Sequence, residues 1–189
     1  EANRAAMMAL AEASADWSTT GGGFDESHFS PLDKINTDNV GQLGHAWTFE
    51  TGTTRGLEAT PVVIDGVLYA TGSVGQVYAL DAATGQKRWA FEPEVPGEAM
   101  ANACCDTVNR GLAVWDGLVY VTLIDGRMFA LNVKTGKPVW QADTIIDHKR
   151  LYTSTGAPRV AGNVVVIGNS GADFDARGYV SAYDLKTGK

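Results

Sequence analysis

The sequence predicts an all-β fold that forms part of a β-propeller, and three observations support that prediction. Residues 66–89 and 117–140 align without a gap, 51 positions apart. Each copy alternates short apolar segments with glycine-containing turns, and each copy ends on a tryptophan, Trp89 or Trp140. Repeats of about 40–50 residues that contain several strands are typical of propeller blades rather than of helical solenoids.

Residues 1–65 precede the complete repeats. Residues 1–15 have the pattern of a short amphipathic helix, so we divide the chain into a helical segment, 1–15, and a partial propeller, 16–189. The segment "LGHAWTFETG" around Trp47 resembles the end of an earlier, partial copy.

Each complete copy predicts strands that pair in antiparallel order. In the first copy, a strand containing Tyr69 is followed by a turn with Gly75, the strand "QVYALD", the turn "ATGQ" and a strand ending in Trp89. Glycine suits these turns because it accepts positive φ without steric cost. We expect the indole to dock between neighbouring blades and Asp81 to organise the turn, with Asn132 in its place in the second copy.

A third copy spans residues 163–189 and carries an insertion. It stops at Lys189, three positions before the expected tryptophan. A sheet that ends in mid-hairpin leaves an unpaired edge. We therefore expect the chain to be a fragment of a longer polypeptide that covers about three four-stranded blades.

Charge and hydropathy argue against a nucleic-acid partner and against a membrane-spanning segment in this stretch. The net charge of −7 disfavours a nucleic-acid partner, because phosphates would repel it. No apolar run approaches the roughly 18–20 residues of a membrane span. No secretory signal precedes residue 16 in this chain.

Both cysteines of the chain are adjacent, at Cys104 and Cys105. A disulfide between neighbours closes no loop and removes almost no entropy from the unfolded chain, so it would stabilise the fold very little. The residues leave two alternatives: two reduced thiols, or a strained ring placed against something that needs it.

Several separate motifs resemble the pyrroloquinoline quinone (PQQ)-dependent alcohol dehydrogenases, which are eight-bladed propellers of the periplasm. The similarity runs from about residue 16 to the end of the chain. In the family's order, the motifs are "HFSPLDKINTDNVGQLGHAW" (28–47), "RGLEATPVV" (55–63), "ACCDTVNRGLAVW" (103–115), "TSTGAPRV" (153–160) and "GNSGADFDARGYVSAYD" (168–184). Adjacent cysteines followed by Asn-Arg-Gly are the most specific of these features.

The resemblance implies a set of residues that bind the cofactor. Cys104 and Cys105 would form a vicinal disulfide lying over one face of the quinone, which also implies an oxidising compartment. Because PQQ is a planar tricarboxylate, its site needs cations and hydrogen-bond donors at the rim. The family's positions for these contacts correspond to Glu58, Arg110, Thr155 and Ser170, with backbone contacts at Gly171 and Ala172.

The resemblance also implies a metal ion, Ca²⁺ or a lanthanide, with Asp173 as a ligand. Here the chain departs from the family pattern, which has glutamate at this position. Asp175 and Ala176 likewise replace glycine and valine, and Asp175 could compensate as an extra carboxylate.

The function implied is oxidation of alcohols to aldehydes or ketones, with electrons passed to a cytochrome c or a quinone. The family's catalytic aspartate has no counterpart in residues 1–189, so the fragment alone would be inactive. A haem c domain, if there is one, would lie beyond residue 189, and the protein would be periplasmic after removal of its signal peptide. The alternatives are a non-enzymatic propeller scaffold and a decayed homologue with an impaired metal site.

Overall fold

The computed structural model describes residues 16–23 and 25–189, and the helix expected over residues 1–15 lies outside them. Within these residues, eleven strands form three antiparallel sheets, each with its strands in sequence order. The first sheet contains β1 (Val62–Ile64), β2 (Val67–Thr71), β3 (Val77–Asp81) and β4 (Lys87–Phe91). The second contains β5 (Ala113–Trp115), β6 (Leu118–Thr122), β7 (Arg127–Asn132) and β8 (Pro138–Asp143). The third contains β9 (Arg159–Ala161), β10 (Val164–Gly168) and β11 (Val180–Asp184).

The helical elements of the described residues are short. One α-helix, α1, spans Gly97–Ala101, and 3₁₀ turns span Val40–Gln42, before the first strand, and Ser73–Gly75 and Ala172–Phe174, between strands. No helix in the described part of the chain is long and apolar enough to cross a membrane.

The repeat in the sequence corresponds to a repeat in strand register. Across β2, β3 and β4, Tyr69 pairs with Ala79 and Ala79 pairs with Trp89. The second sheet repeats this row with Tyr120, Ala130 and Trp140, and both sheets shift register directly after the alanine. The small alanine leaves space for the flanking rings, whose centroids are 6.1 Å apart in the first sheet and 5.9 Å apart in the second. The two copies are therefore the same blade built twice.

The core lies between sheets, so the middle sheet is covered on both faces. Val119 and Val121 of β6 pack with the first sheet, whereas Tyr120, which points to the opposite face, packs with the third. Successive side chains of a strand point to opposite faces. This explains why four of the five residues in β6 are buried.

The three tryptophans that end the sequence repeats each contact the turn of the blade that follows. The indole N–H of Trp89 donates to Val133 O at 2.9 Å, and its ring covers Gly136 in the following blade's turn. Trp140 repeats the arrangement with Leu185 O and Gly188. Trp47 does so with Ala82 O and Gly85. The blade-docking role expected for the indoles is confirmed.

The turn after each third strand is organised by one side chain. Asp81 Oδ1 accepts hydrogen bonds from the backbone N–H groups of Ala83 and Thr84. Asn132 makes the equivalent bonds in the second sheet, as Asp184 does in the third. Because the bonds use only a carbonyl-type oxygen, aspartate and asparagine are interchangeable as turn caps.

Candidate cofactor-binding site

A cavity of about 240 Å³ opens where three loops of the second and third blades meet. These loops are the segment that follows α1, the segment before β9, and the segment after β10. Seven of the eight cofactor-binding residues expected from the sequence line this cavity, together with Asp173: Cys104, Cys105, Arg110, Thr155, Ser170, Gly171 and Ala172. The eighth, Glu58, is not among the lining residues and contacts Arg110 instead.

The adjacent cysteines form one exposed wall of the cavity. The structure joins the sulfur atoms of Cys104 and Cys105 in a disulfide. Asp106 follows directly with φ of 69°, a left-handed conformation that aspartate tolerates better than most residues. Thr107 is then buried, and its carbonyl accepts the N–H of Val74 at 2.8 Å. The exposed ring is thus fixed from its C-terminal side to the first blade.

Arg110 lies at the centre of a chain of polar contacts. Its Nη1 donates to Thr155 Oγ1 at 2.6 Å, and its Nη2 lies 3.2 Å from Glu58 Oε2. Thr155 Oγ1 lies 3.3 Å from Ser170 Oγ, and either hydroxyl can be the donor. The arginine side chain is about half exposed, so its remaining N–H donors are available to a ligand in the cavity.

Buried backbone contacts hold these polar groups in place. The N–H of Arg110 donates to Thr155 O at 2.9 Å, and the N–H of Ser170 donates to Thr153 O at 2.8 Å. Asn109, which precedes Arg110 in the chain, is buried. Its Nδ2 donates to Thr122 O, and its Oδ1 accepts the N–H of Gly111. The rim of the cavity is therefore tied to both neighbouring sheets before any ligand binds.

Small residues bring the backbone close to the cavity on its third side. Gly171 has φ of 125°, and a Cβ there would lie 2.7 Å from Leu151 O. Any side chain at this position would therefore be both strained and obstructed. Gly171 therefore presents only backbone groups to the cavity.

Asp173 is the one carboxylate at the cavity that has no hydrogen-bond or ion-pair partner among the described residues. Within residues 16–23 and 25–189, no group of three or more His, Cys, Asp or Glu side chains is arranged to hold a metal ion. Asp175 lines a different depression, with Arg150 and Tyr152, and so does not add a carboxylate at this cavity. Asp173 can supply one ligand group, whereas Ca²⁺ takes about six to eight oxygen atoms.

Some lining residues carry no local signal of their own in the sequence and were not among the candidates. Thr153 and Val108 reach the cavity because a strand bridge and a buried loop carry them there. Asp106 also lines the cavity, and its carboxylate pairs with Arg55, 51 positions earlier in the chain. In the sequence, only the position of Asp106 directly after the two cysteines indicates that it could line the site.

The donors and walls of the cavity suit a flat, anionic ligand. Arg110 and two hydroxyl groups supply charge-assisted and neutral hydrogen bonds at one rim, which suits carboxylate groups. The disulfide supplies a rigid wall without hydrogen-bonding groups of its own. A planar cofactor that carries carboxylates fits this chemistry.

Comparison with known proteins agrees with these features. The family model of the PQQ-type glucose/ethanol/alcohol dehydrogenase β-propeller domain matches residues 17–189. Quinohemoprotein alcohol dehydrogenase ADH-IIG of Pseudomonas putida is 51% identical over 185 residues, which is 98% of this chain and 26% of the relative. The 1-butanol dehydrogenase (cytochrome c) of Thauera butanivorans is 49% identical over 172 residues, which is 91% of this chain and 25% of that protein.

The solved structure of ADHIIG from Pseudomonas putida HK5 superposes with a TM-score of 0.94 at 52% identity, covering 98% of this chain and 27% of that one. This chain therefore spans about a quarter of the length of the relatives it matches. The repeats, the tryptophan docking and the family match lead to one conclusion: the chain belongs to the PQQ-dependent glucose/ethanol/alcohol dehydrogenase β-propeller family.

Proposed function

We propose that this chain is the N-terminal part of a quinoprotein alcohol dehydrogenase that oxidises alcohols to aldehydes or ketones. The observation that carries the proposal is the juxtaposition, in one cavity, of the vicinal disulfide with the Arg110–Thr155–Ser170 rim. Neither feature alone would indicate a cofactor, because exposed arginines and turn hydroxyls are common. Together they provide a flat wall and a cationic rim for PQQ.

PQQ, when bound, supplies the two-electron acceptor for the alcohol, and the chain's residues bind and orient it. Arg110 would donate to a carboxylate of PQQ, while Thr155 and Glu58 hold its guanidinium in place. The disulfide would form a wall beside the ring system, and Gly171 and Ala172 would allow the backbone to approach it.

The metal and the general base depend on residues outside this chain. Asp173 would contribute one carboxylate to Ca²⁺ or to a lanthanide, and the remaining oxygen ligands would come from the rest of the protein and from the cofactor. The aspartate that would accept the alcohol proton would lie beyond residue 189. The isolated chain is therefore proposed to turn over no alcohol.

Electron transfer and location follow from the same proposal. The Thauera relative is a cytochrome c-linked enzyme by its name, which favours a cytochrome c acceptor here. An oxidised cysteine pair is stable in an oxidising compartment, which favours the periplasm.

The test uses the full-length protein, stripped of cofactor and then reconstituted with PQQ and Ca²⁺. Alcohol oxidation is followed with an artificial dye as electron acceptor, over a panel of primary and secondary alcohols. The proposal expects dye reduction that requires PQQ, the metal and an alcohol together. Absence of saturable PQQ binding would refute it and favour a non-enzymatic scaffold.

A further inference from the structure

Among the charged side chains that line the cavity, carboxylates outnumber cations. The lining includes one cation, Arg110, and two carboxylates, Asp106 and Asp173. Glu58 already contacts the guanidinium of Arg110 from outside the lining. A tricarboxylate would be repelled by these negative charges unless they were neutralised. A metal ion at Asp173 would offset the negative charge of that carboxylate. The negative charge of Asp106 would then still need a counter-charge.

Arg55 supplies the missing charge at Asp106. Its guanidinium forms an ion pair with the carboxylate of Asp106, and both side chains are about half exposed. Arg55 does not itself line the cavity, so it acts on the ligand through Asp106. No other cation contacts Asp106 among the residues that the structure describes.

Asp106 is kept at this position by its structural role. Its Oδ1 accepts the N–H of Thr107 at 2.7 Å, which caps the left-handed turn directly after the disulfide. A carbonyl-type oxygen is needed for this cap, and the carboxylate brings a negative charge with it. Arg55 compensates for that charge.

The segment that carries Arg55 is matched to the loop that carries the cysteines. Arg55 pairs with Asp106, and three residues later Glu58 pairs with Arg110. The segment therefore presents a positive and then a negative side chain, and the cysteine loop presents a negative and then a positive side chain opposite them. Residues 55–58 are exposed and form no strand, and these two ion pairs join them to the loop.

We propose that Arg55 is a positioning residue for the cofactor: by neutralising Asp106 beside the vicinal disulfide, it allows the cavity to accept the carboxylates of PQQ. This inference rests on the proposed function, because it takes PQQ as the ligand. It assigns to Arg55 a contribution to cofactor affinity without direct contact with the cofactor.

The experiment is an equilibrium titration with PQQ of the cofactor-free, Ca²⁺-loaded full-length protein, followed by quenching of tryptophan fluorescence. The variants are Arg55→Gln, Arg55→Lys, Asp106→Asn and the double variant Arg55→Gln/Asp106→Asn. Asparagine retains the capping oxygen and tolerates positive φ, so Asp106→Asn removes the charge with little change in the turn. The matched control is Arg88→Gln, because Arg88 forms a similarly exposed ion pair with Asp81 on a turn of the first blade.

Arg55→Gln should raise the PQQ dissociation constant on the order of fivefold at low salt, the fold-change that an exposed charge pair can produce. Higher salt should reduce the effect, because it screens exposed charges. The double variant should regain wild-type affinity, and Arg55→Lys and Arg88→Gln should bind as wild type does.

Unchanged affinity in Arg55→Gln would overturn the inference. So would an Arg55→Gln defect that Asp106→Asn leaves unrepaired, because the loss would then be structural rather than electrostatic. Failure of the wild-type protein to bind PQQ would refute the proposed function itself, and that result is distinguishable from both of the others.

Discussion

The contact between each tryptophan and the glycine of the next blade predicts the effect of adding a single methyl group. In Gly136→Ala, the new Cβ would lie 2.5 Å from Trp89 Cε3 and 2.8 Å from Cδ2, so the indole would have to move. Gly136 also has φ of 68°, where a side chain is strained regardless of space. Gly117→Ala separates the two effects: its φ is 78°, but nothing lies within 4 Å of the added Cβ.

The two variants should differ by the cost of displacing the tryptophan. Gly117→Ala should lower the free energy of unfolding by about 1–2 kcal/mol, the cost of a left-handed non-glycine residue. Gly136→Ala should lose that amount and about 1–3 kcal/mol more, from overpacking and from strain on the 2.9 Å bond between Trp89 and Val133 O.

The assay is urea unfolding of the full-length protein, followed by tryptophan fluorescence. The same two glycine substitutions are then repeated in a Trp89→Ala background, where the extra cost of Gly136→Ala should vanish. Equal destabilisation by Gly117→Ala and Gly136→Ala in the wild-type background would refute the docking argument.

Three further predictions concern the site and the blade turns. The adjacent cysteines should take up no thiol label before reduction and two labels afterwards, as counted by mass spectrometry; labelling without reduction would contradict the disulfide. Thr155→Val removes the hydroxyl that accepts the 2.6 Å bond from Arg110, so PQQ titration should show roughly fivefold weaker binding; unchanged affinity would show that the hydroxyl does not orient the arginine. A hydrogen bond from Arg88, with support from Thr84, lowers the pKa of Asp81 to about 2. The ionised carboxylate of Asp81 therefore stabilises the fold above pH ~4, and this stabilisation is lost as the pH falls towards 2. Asp81→Asn should keep the turn, as Asn132 does in the second blade, and should weaken the dependence of the unfolding midpoint on pH between 4 and 2; an unchanged dependence would exclude Asp81 as its source.

The blade architecture was predictable because its determinants are local and repeated. A strand, a turn and a tryptophan at fixed spacing recur 51 positions apart, so the second copy supports the interpretation of the first. The structure confirms the same row of Tyr, Ala and Trp in both sheets. Spacing alone does not show which carbonyl the indole meets, because that depends on how the blades stack.

The site was less predictable from the residues themselves. The candidate residues came from motif resemblance, and the structure brings seven of the eight residues expected to bind the cofactor to one cavity. Glu58, the eighth, lies outside the lining and pairs with Arg110, and its expected contact with the cofactor stays a prediction. Arg55 and Asp106 are charged, exposed and far apart in the sequence, so no local pattern could have paired them. Their pairing depends on the packing of two loops.

The central claim is that this cavity holds PQQ, and the most direct measurement is a PQQ titration of the full-length protein in wild-type and Arg110→Gln forms. Arg110 is the one cation that lines the cavity among the described residues, and the Arg88→Gln protein controls for the loss of a surface arginine. We expect saturable one-to-one binding for the wild-type and Arg88→Gln proteins, and affinity at least about tenfold lower for Arg110→Gln. Equal affinity in the wild-type and Arg110→Gln proteins, or no saturable binding in either, would contradict it.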